Sequence, residues 1–403
     1  MKKSILMVSA FVMTFMTTVF TSQINAQTTD GLKITGYIQA QAEYAGKNAL
    51  QVWTGSYDAN KYDNNDHFLT YGVRRGRIRF TYTKHQAKAV VEINTSESGM
   101  SPIKAYLGWD ALPWLSFQAG LLNSFFGDEL MYLSPLQETE DRTVLTHKLF
   151  PGLHEVGLKA IVKAPKESDF NGLKLELAAV SGNGISKTPD GRINLESHLK
   201  YDRTVQDGSM KWGIGVSYFN GKVNNADSVY RTFGNDTWQT DTVGFNNKNK
   251  REYFGIDGQI TFFNDWGRSN FRGEYLFGTQ PTTQNDFTAP KNNTYDISKA
   301  FSYERKFRGY YLYYVQDIAK TNWQTVLKAA YYDFNTKADG KNAVYPMDLA
   351  YQNYGFGIIW NPTKAVRLSA FYDWYINETS DNIAGYSKQV PNDVLTVRMQ
   401  VSF

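Results

Sequence analysis

The last ten residues, Val394–Phe403, constrain this chain more than any other stretch. Leu395, Val397, Met399, Val401 and Phe403 are apolar, and Thr396, Arg398, Gln400 and Ser402 between them are polar. A period of two sends the two sets to opposite faces of a strand. Soluble proteins seldom end on such a strand with Phe as its last residue, whereas membrane-spanning barrels do. Lipid offers no hydrogen-bond partner to a sheet edge, so strands that span a membrane must close into a barrel. The rest of the chain is therefore expected to supply further strands of the same kind.

It supplies them in number. Sixteen alternating segments are predicted, at 32–45, 69–84, 86–95, 102–110, 114–122, 154–164, 171–181, 192–203, 210–220, 250–263, 268–279, 305–317, 321–335, 351–361, 364–377 and 393–403. The first sets Ile34, Ile38, Ala40, Ala42 and Tyr44 against Thr35, Tyr37, Gln39, Gln41 and Glu43. Long and short connections alternate. Residues 46–68, 123–153, 221–249, 280–304, 336–350 and 378–392 are long, while the turns near His85, Pro113, Asp265, Ile318 and Pro362 are tight. The expected fold is all-β: a transmembrane antiparallel barrel of about 16 strands, with long external loops and short periplasmic turns. Trp114, Trp212, Trp323, Trp360 and Trp374 near strand ends fit interfacial girdles.

At the other end, Lys2 and Lys3 precede an apolar run from Ile5 to Phe20, and Ile24-Asn25-Ala26 resembles a cleavage signal. Residues 1–26 read as a signal peptide, leaving 27–403 as one barrel domain, with the third loop, about 123–153, folding inward. Cysteine is absent, which excludes disulfides and thiolate metal sites. The 43 basic and 39 acidic side chains nearly balance, and two of the lysines lie in the leader, so nothing points to nucleic acid. No later run reaches the roughly 20 apolar residues of a membrane helix. The mean hydropathy of −0.46 does not exclude a barrel, because lumen residues dilute the lipid-facing ones.

Charge in the second strand singles out a site. If Ile78, Phe80 and Tyr82 face lipid, parity turns Arg75, Arg77 and Arg79 into the lumen, with Arg74 off the pattern. Lys88, Glu92 and Lys104 are expected lumenal neighbours. Guanidiniums stay ionised and present a planar fork to phosphate or carboxylate. The third loop carries Phe126, Asp128, Glu129, Glu138, Glu140 and Asp141, together with Arg142, His147 and Lys148. Asp128 and Glu129 are the candidates for the wall opposite the ladder. Three readings stay open: an anion-attracting ladder, a balanced and size-limited constriction, and ion pairs that merely hold the loop. Tyr37, Tyr106 and Trp114 are placed lumenward by parity.

The chain resembles the phosphate-selective porin O/P family, especially the divergent porins of Bacteroidetes-type bacteria. The resemblance rests on Arg74-Arg75-Gly76-Arg77-Ile78-Arg79-Phe80, on Phe126-Gly127-Asp128-Glu129 followed by Leu133-Ser134-Pro135, and on Phe403. It implies a sixteen-stranded homotrimer in the outer membrane that passes phosphate along arginines assisted by lysines, and Arg75, Arg77 and Arg79 match the ladder strand. The acidic run Glu138–Asp141 departs from the family's pattern. Phe403 is assigned to barrel closure and assembly.

Enzyme signals are weak. Histidines 67, 85, 147, 154 and 198 have no metal-ligand spacing, and no nucleophile elbow or phosphate-cradling loop is present. The expectation is a passive porin for small hydrophilic solutes or anions, without catalytic residues, metal or cofactor. The alternatives are a non-conducting barrel that binds or anchors at the surface, and an outer-membrane hydrolase.

Overall fold

The computed structural model describes residues 30–62, 65–96, 99–185, 193–225, 227–244, 247–290 and 301–403. The leader assigned to residues 1–26 lies outside them. Strands run in chain order as β1 (Gly31–Gly46), β2 (His67–Lys84), β3 (Ala87–Ser96), β4 (Gly99–Leu112), β5 (Leu115–Asn123), β6 (His154–Lys163), β7 (Leu173–Val180), β8 (Asn194–Thr204) and β9 (Met210–Asn224). They continue as β10 (Val229–Gly234), β11 (Thr237–Thr242), β12 (Lys248–Asn264), β13 (Gly267–Thr282), β14 (Tyr303–Asp317), β15 (Trp323–Asp333), β16 (Ala350–Trp360), β17 (Val366–Asn377) and β18 (Val394–Ser402).

Sixteen of these make a closed antiparallel barrel. β9 pairs directly with β12, and β18 returns to β1 in the register Gln39↔Gln400 and Gln41↔Arg398. Every predicted strand is present. The loop expected at 221–249 holds something more, the hairpin β10–β11, which is not one of the sixteen barrel strands but pairs in parallel with the start of β14 at Arg231↔Tyr303. Trp238 on this hairpin packs against Phe233 and Tyr303, with ring centroids 5.2 and 4.9 Å apart.

The polarity of the barrel is inverted relative to a soluble domain. Ile38, Leu69, Leu107, Leu158, Leu312 and Val397 are exposed on the outer wall, while Gln39, Gln41, Glu43, Arg75, Glu92 and Arg398 are buried inside. That is the arrangement that lipid outside and a polar lumen require. Trp109, Trp266, Trp323 and Trp360 sit at the end with the short turns, and Tyr44, Tyr71 and Trp374 sit toward the long loops, all exposed. Trp114, expected in the lumen, lies exposed in the β4–β5 turn. Trp114 lies in the turn, one residue before β5 begins, so strand parity does not reach it.

Two of the register shifts among the described residues shape the inner wall beside the arginines. One falls where Gln39 faces Arg75 and Ala40 faces Val73, leaving Arg74 unpaired in the ladder. The other lies between Glu92 and Ile93, opposite Lys104 and Pro102. Proline lacks an N–H for the ladder, so its place beside an irregularity is the expected one. At the seam, the Gly36 and Phe403 backbones exchange hydrogen bonds of 2.9 Å. A Cβ on Gly36 would collide with the Phe403 ring, so this contact needs glycine.

Candidate functional site

β2 projects its arginines inward, and each meets a carboxylate. Arg75 Nη2 donates to Asp141 Oδ2 at 2.8 Å, and its Nη1 donates to Gln39 Oε1 at 3.0 Å. Arg74, freed from the pleat by the bulge, turns inward as well and donates to the same Asp141 oxygen at 2.7 Å. Arg79 Nη2 lies 2.6 Å from Glu92, Lys104 Nζ lies 3.0 Å from it, and Arg77 lies 3.7 Å away. Lys88 shares the inward parity of Glu92, nearer the turn end, where its chain lies against Gly108. Tyr37 is buried beneath the Arg77 guanidinium, 5.9 Å from it.

The segment between β5 and β6 runs inside the barrel. It contains α1 (Gly127–Met131), a 3₁₀ turn (Ser134–Leu136) and α2 (Val144–Leu149). Most of its side chains from Ser124 to Phe150 are buried. Its start is pinned to the wall formed by β8, β9 and β13. Glu196 Oε1 accepts from the backbone N–H groups of Phe125 and Phe126 at 2.7 and 2.9 Å, and Ser217 accepts from Gly127. Gly127 has φ +70, and a Cβ there would overlap Glu274, so glycine is required on both counts.

This anchoring corrects the expected layout. Asp128 and Glu129 do not oppose the arginines. Asp128 pairs with Lys200 on β8. Glu129 accepts from Thr143 and Thr146 of its own loop and from Tyr313 on β14 at 2.7 Å. Phe126 is buried in an aromatic core instead of lining a passage. The carboxylate that meets the ladder is Asp141, further along the loop. Burial alone would raise its pKa, but Arg74, Arg75 and His147 outweigh burial and hold it well below the usual carboxylate range. Glu138 pairs with Arg272 at 2.6 Å, and Glu140 lies 3.6 Å from Lys328. Burial, followed by the neighbouring Asp373, pushes Glu140 well up despite Lys328.

The loop therefore meets its container in two different ways. Toward β7–β9 and β12–β16 it packs Phe126, Leu130, Val144, Leu145, Leu149 and Phe150 against inward side chains such as Phe219, Tyr253, Tyr311, Tyr332 and Tyr351. Phe150 lies edge-on to Phe219 and Tyr253, both at 5.8 Å. Toward β1, β2 and β18 the contacts are hydrogen bonds and ion pairs.

Beneath the loop, at the end with the short turns, opens a vestibule of about 410 Å³. Arg77, Arg79, Lys104, Arg142, Lys364 and Arg367 line it, with Glu92 as the carboxylate among its lining residues. Six cations against one carboxylate make this space strongly attractive to anions. Arg142 is fixed by donating to the Glu129 and Tyr132 carbonyls, and Arg367 by donating to the Pro135 carbonyl at 3.2 Å. Arg367 is not among the residues that the sequence singles out, although its parity on β17 is readable. Its lumenal role depends on where the loop descends, which parity does not give. Among the described residues, no group of His, Asp and Glu is placed to hold a metal ion.

Comparison with known proteins locates this architecture. No protein-family model matches the chain, and no curated protein matches its sequence. Solved structures do match. The anion-selective porin from Comamonas acidovorans superposes with a TM-score of 0.56 at 12% identity, covering 93% of this chain and 100% of that one. The outer membrane channel DcaP of Acinetobacter baumannii gives 0.54 at 11% identity over 92% and 97% of the two chains. OmpT of Vibrio cholerae gives 0.53 at 10% identity, covering 94% and 100%. The chain shares the fold of outer-membrane porins. At these identities the likeness speaks to fold alone.

Proposed function

We propose that the protein is an outer-membrane porin for passive diffusion of small hydrophilic solutes, with a preference for anions such as phosphate. The vestibule carries this reading: six cationic side chains and one carboxylate surround about 410 Å³ directly below the loop that narrows the lumen. A low-dielectric wall around a charged cleft focuses the field and raises the local concentration of counter-ions. Arg77, Arg79 and Lys104 collect the anion, with Lys88 closer to the entrance. Arg75 holds the loop through Asp141. Phe126, Asp128, Glu129, Glu138 and Glu140 fix the loop's course and so the bore. Fixed side chains and a preformed path suffice for this, with no catalytic group or cofactor.

In the same reading, residues 1–26 direct export, the long loops face the exterior, Phe403 assists closure, and the barrel assembles as a homotrimer in the outer membrane. Conductance of the refolded protein in a planar bilayer, with reversal potential under a salt gradient, tests it. Stable anion-preferring openings are expected, and a membrane that stays silent contradicts the proposal.

One observation favours a second reading, a non-conducting barrel that binds or anchors at the surface. The loop reaches wall residues all round the lumen, from Arg75 on β2 through Lys200 on β8 and Arg272 on β13 to Lys328 on β15. Silence in the bilayer would move this reading ahead.

A further inference from the structure

Large apolar side chains left exposed in this barrel belong, for the most part, to the outer wall that lipid covers. Leu133 and Leu136 depart from that pattern. They sit on the loop inside the barrel, 44% and 54% exposed, and both line the vestibule. Local structure sets them side by side. Leu133 precedes the 3₁₀ turn Ser134–Leu136, and the Leu136 N–H donates to the Leu133 carbonyl at 2.9 Å. Residues three apart in such a turn eclipse one another, so the two leucines form a single apolar patch. Leu130 and Val366 add further apolar lining.

The same turn is held by cations. The buried Ser134 hydroxyl lies 3.5 Å from Arg77 Nη1 and 3.4 Å from Arg142 Nη1. The Pro135 carbonyl accepts from Arg367 Nη1 and from Gln400 Nε2, both at 3.2 Å. Adjacent strands bring these groups to one sector of the wall. Tyr37 faces Arg77 across β1–β2 and Ser402 across β1–β18, and Gln400 faces Arg367 across β17–β18. The guanidinium hydrogen bonds of Arg142 and Arg367 go to carbonyl and hydroxyl oxygens, so neither is matched by a bonded carboxylate. Tyr37 Oη, Arg77 Nε and Arg367 Nη2 are buried donors without a partner among the described residues. Unpartnered buried atoms occur elsewhere in the barrel too, but these three belong to side chains that line the vestibule.

Inorganic phosphate would use the guanidiniums and leave the leucines wet. Sites for organic ligands combine apolar walls with a few placed polar groups, in volumes of about 300–1,000 Å³. The vestibule, at about 410 Å³, falls in that range. A guanidinium fork matches a carboxylate, and each methylene moved from water onto apolar side chains tightens binding. Deepening the porin reading on which it rests, we propose that the vestibule is a binding site for an organic anion with a carboxylate head and a short apolar chain. The head is received among Arg77, Tyr37 and Arg367, and the chain covers Leu133 and Leu136. Such an anion is held more tightly than inorganic phosphate.

Calorimetric titration of the refolded barrel in detergent tests this, with sodium acetate, butanoate, hexanoate and phosphate as probes. Affinity is expected to rise about fifteenfold from acetate to butanoate, a factor of about four per buried methylene, with phosphate weaker than butanoate. Leu133→Ser/Leu136→Ser should hold acetate as the native protein does and lose the rise. Equal affinities along the series, or phosphate held as tightly as hexanoate, overturn the proposal. A rise that persists in the double variant also overturns it, because the chain then lies elsewhere. Should that variant fail to fold, Leu136→Asn, at the more exposed of the two positions, gives the same readout. Arg367→Gln is expected to weaken every carboxylate about tenfold and keep the rise per methylene. No change there removes Arg367 from the site. The two proposals fail separately. A barrel silent in a bilayer that still binds longer carboxylates more tightly keeps the site and loses the porin. A conducting channel with a flat series does the reverse.

Discussion

The third loop has two faces, and aromatic packing is concentrated on one of them. Facing β7–β9 and β12–β16, Phe126, Leu145 and Phe150 fill space against wall aromatics, and the Asp128–Lys200, Glu138–Arg272 and Glu140–Lys328 ion pairs join that packing. The apolar part of this attachment is short-ranged and indifferent to salt. Facing β1, β2 and β18, it is attached through Asp141, shared by Arg74, Arg75 and His147. Buried ion pairs gain little net stability over apolar packing, yet breaking one strands a charge. The comparison teaches a division of labour: one face adds shape-specific packing to its ion pairs, and the other ties the loop to β2 by charge alone.

Breaking the apolar face should have the largest effect. Phe150→Ala removes a ring that touches Phe126, Phe219 and Tyr253. Core truncations of this type cost about 3–5 kcal/mol. The barrel itself should survive, as judged by heat-modifiable migration, while residues 124–153 become sensitive to protease. Persistent protection of the loop would show that the aromatic face does not anchor it.

Asp141→Asn attacks the polar face. It leaves two guanidiniums without their carboxylate, a change on the order of 3 kcal/mol for a buried pair. Protease sensitivity should rise around residues 137–148 while the α1 region stays protected. Sensitivity spread evenly over the loop would mean that the two faces are not independent.

Selectivity sharpens the contrast further. The triple change Arg75→Ala/Arg77→Ala/Arg79→Ala should shift permeability toward cations with the barrel intact, and an unchanged reversal potential removes the ladder from the mechanism.

The pH response is smaller and opposite at two neighbouring carboxyls. Asp141 titrates below its unfolded value of about 3.9. Its stabilisation is therefore complete above that pH and is lost only as pH falls through the lower folded value. Glu140 titrates above its unfolded value of about 4.3, so its contribution favours the folded loop in acid and declines as pH rises toward the higher folded value. Protease sensitivity of residues 137–148 should thus increase from pH 5 to pH 8 in the native protein and flatten in Glu140→Gln. A slope that survives Glu140→Gln assigns the effect elsewhere. The smallest effect is expected at the exposed Lys47–Asp66 pair, 2.6 Å apart, where Lys47→Ala should leave loop protection and conductance unchanged.

What the sequence revealed and what it hid divide along the same line. The sixteen strands were legible because lipid outside and polar lumen inside impose period two on every one of them. β10–β11 was not, since a six-residue hairpin outside the lipid-facing wall has no such pattern, and β11 is exposed at nearly every position. The inward turn of Arg74 was hidden by a bulge, which parity alone cannot locate. Acidic residues in the third loop were visible, but not that Asp141 and not Asp128 or Glu129 meets the arginines. That choice is made by Gly127 and Glu196, which anchor the start of the loop across the lumen from β2.

The most direct test of the account is the reversal potential of the refolded protein in a planar bilayer under a tenfold salt gradient, measured with chloride and then with phosphate. The account predicts stable openings, a potential displaced toward the anion equilibrium value, and a reduced chloride current when phosphate is added. Openings with a cation-directed potential, or no openings at all, would contradict it.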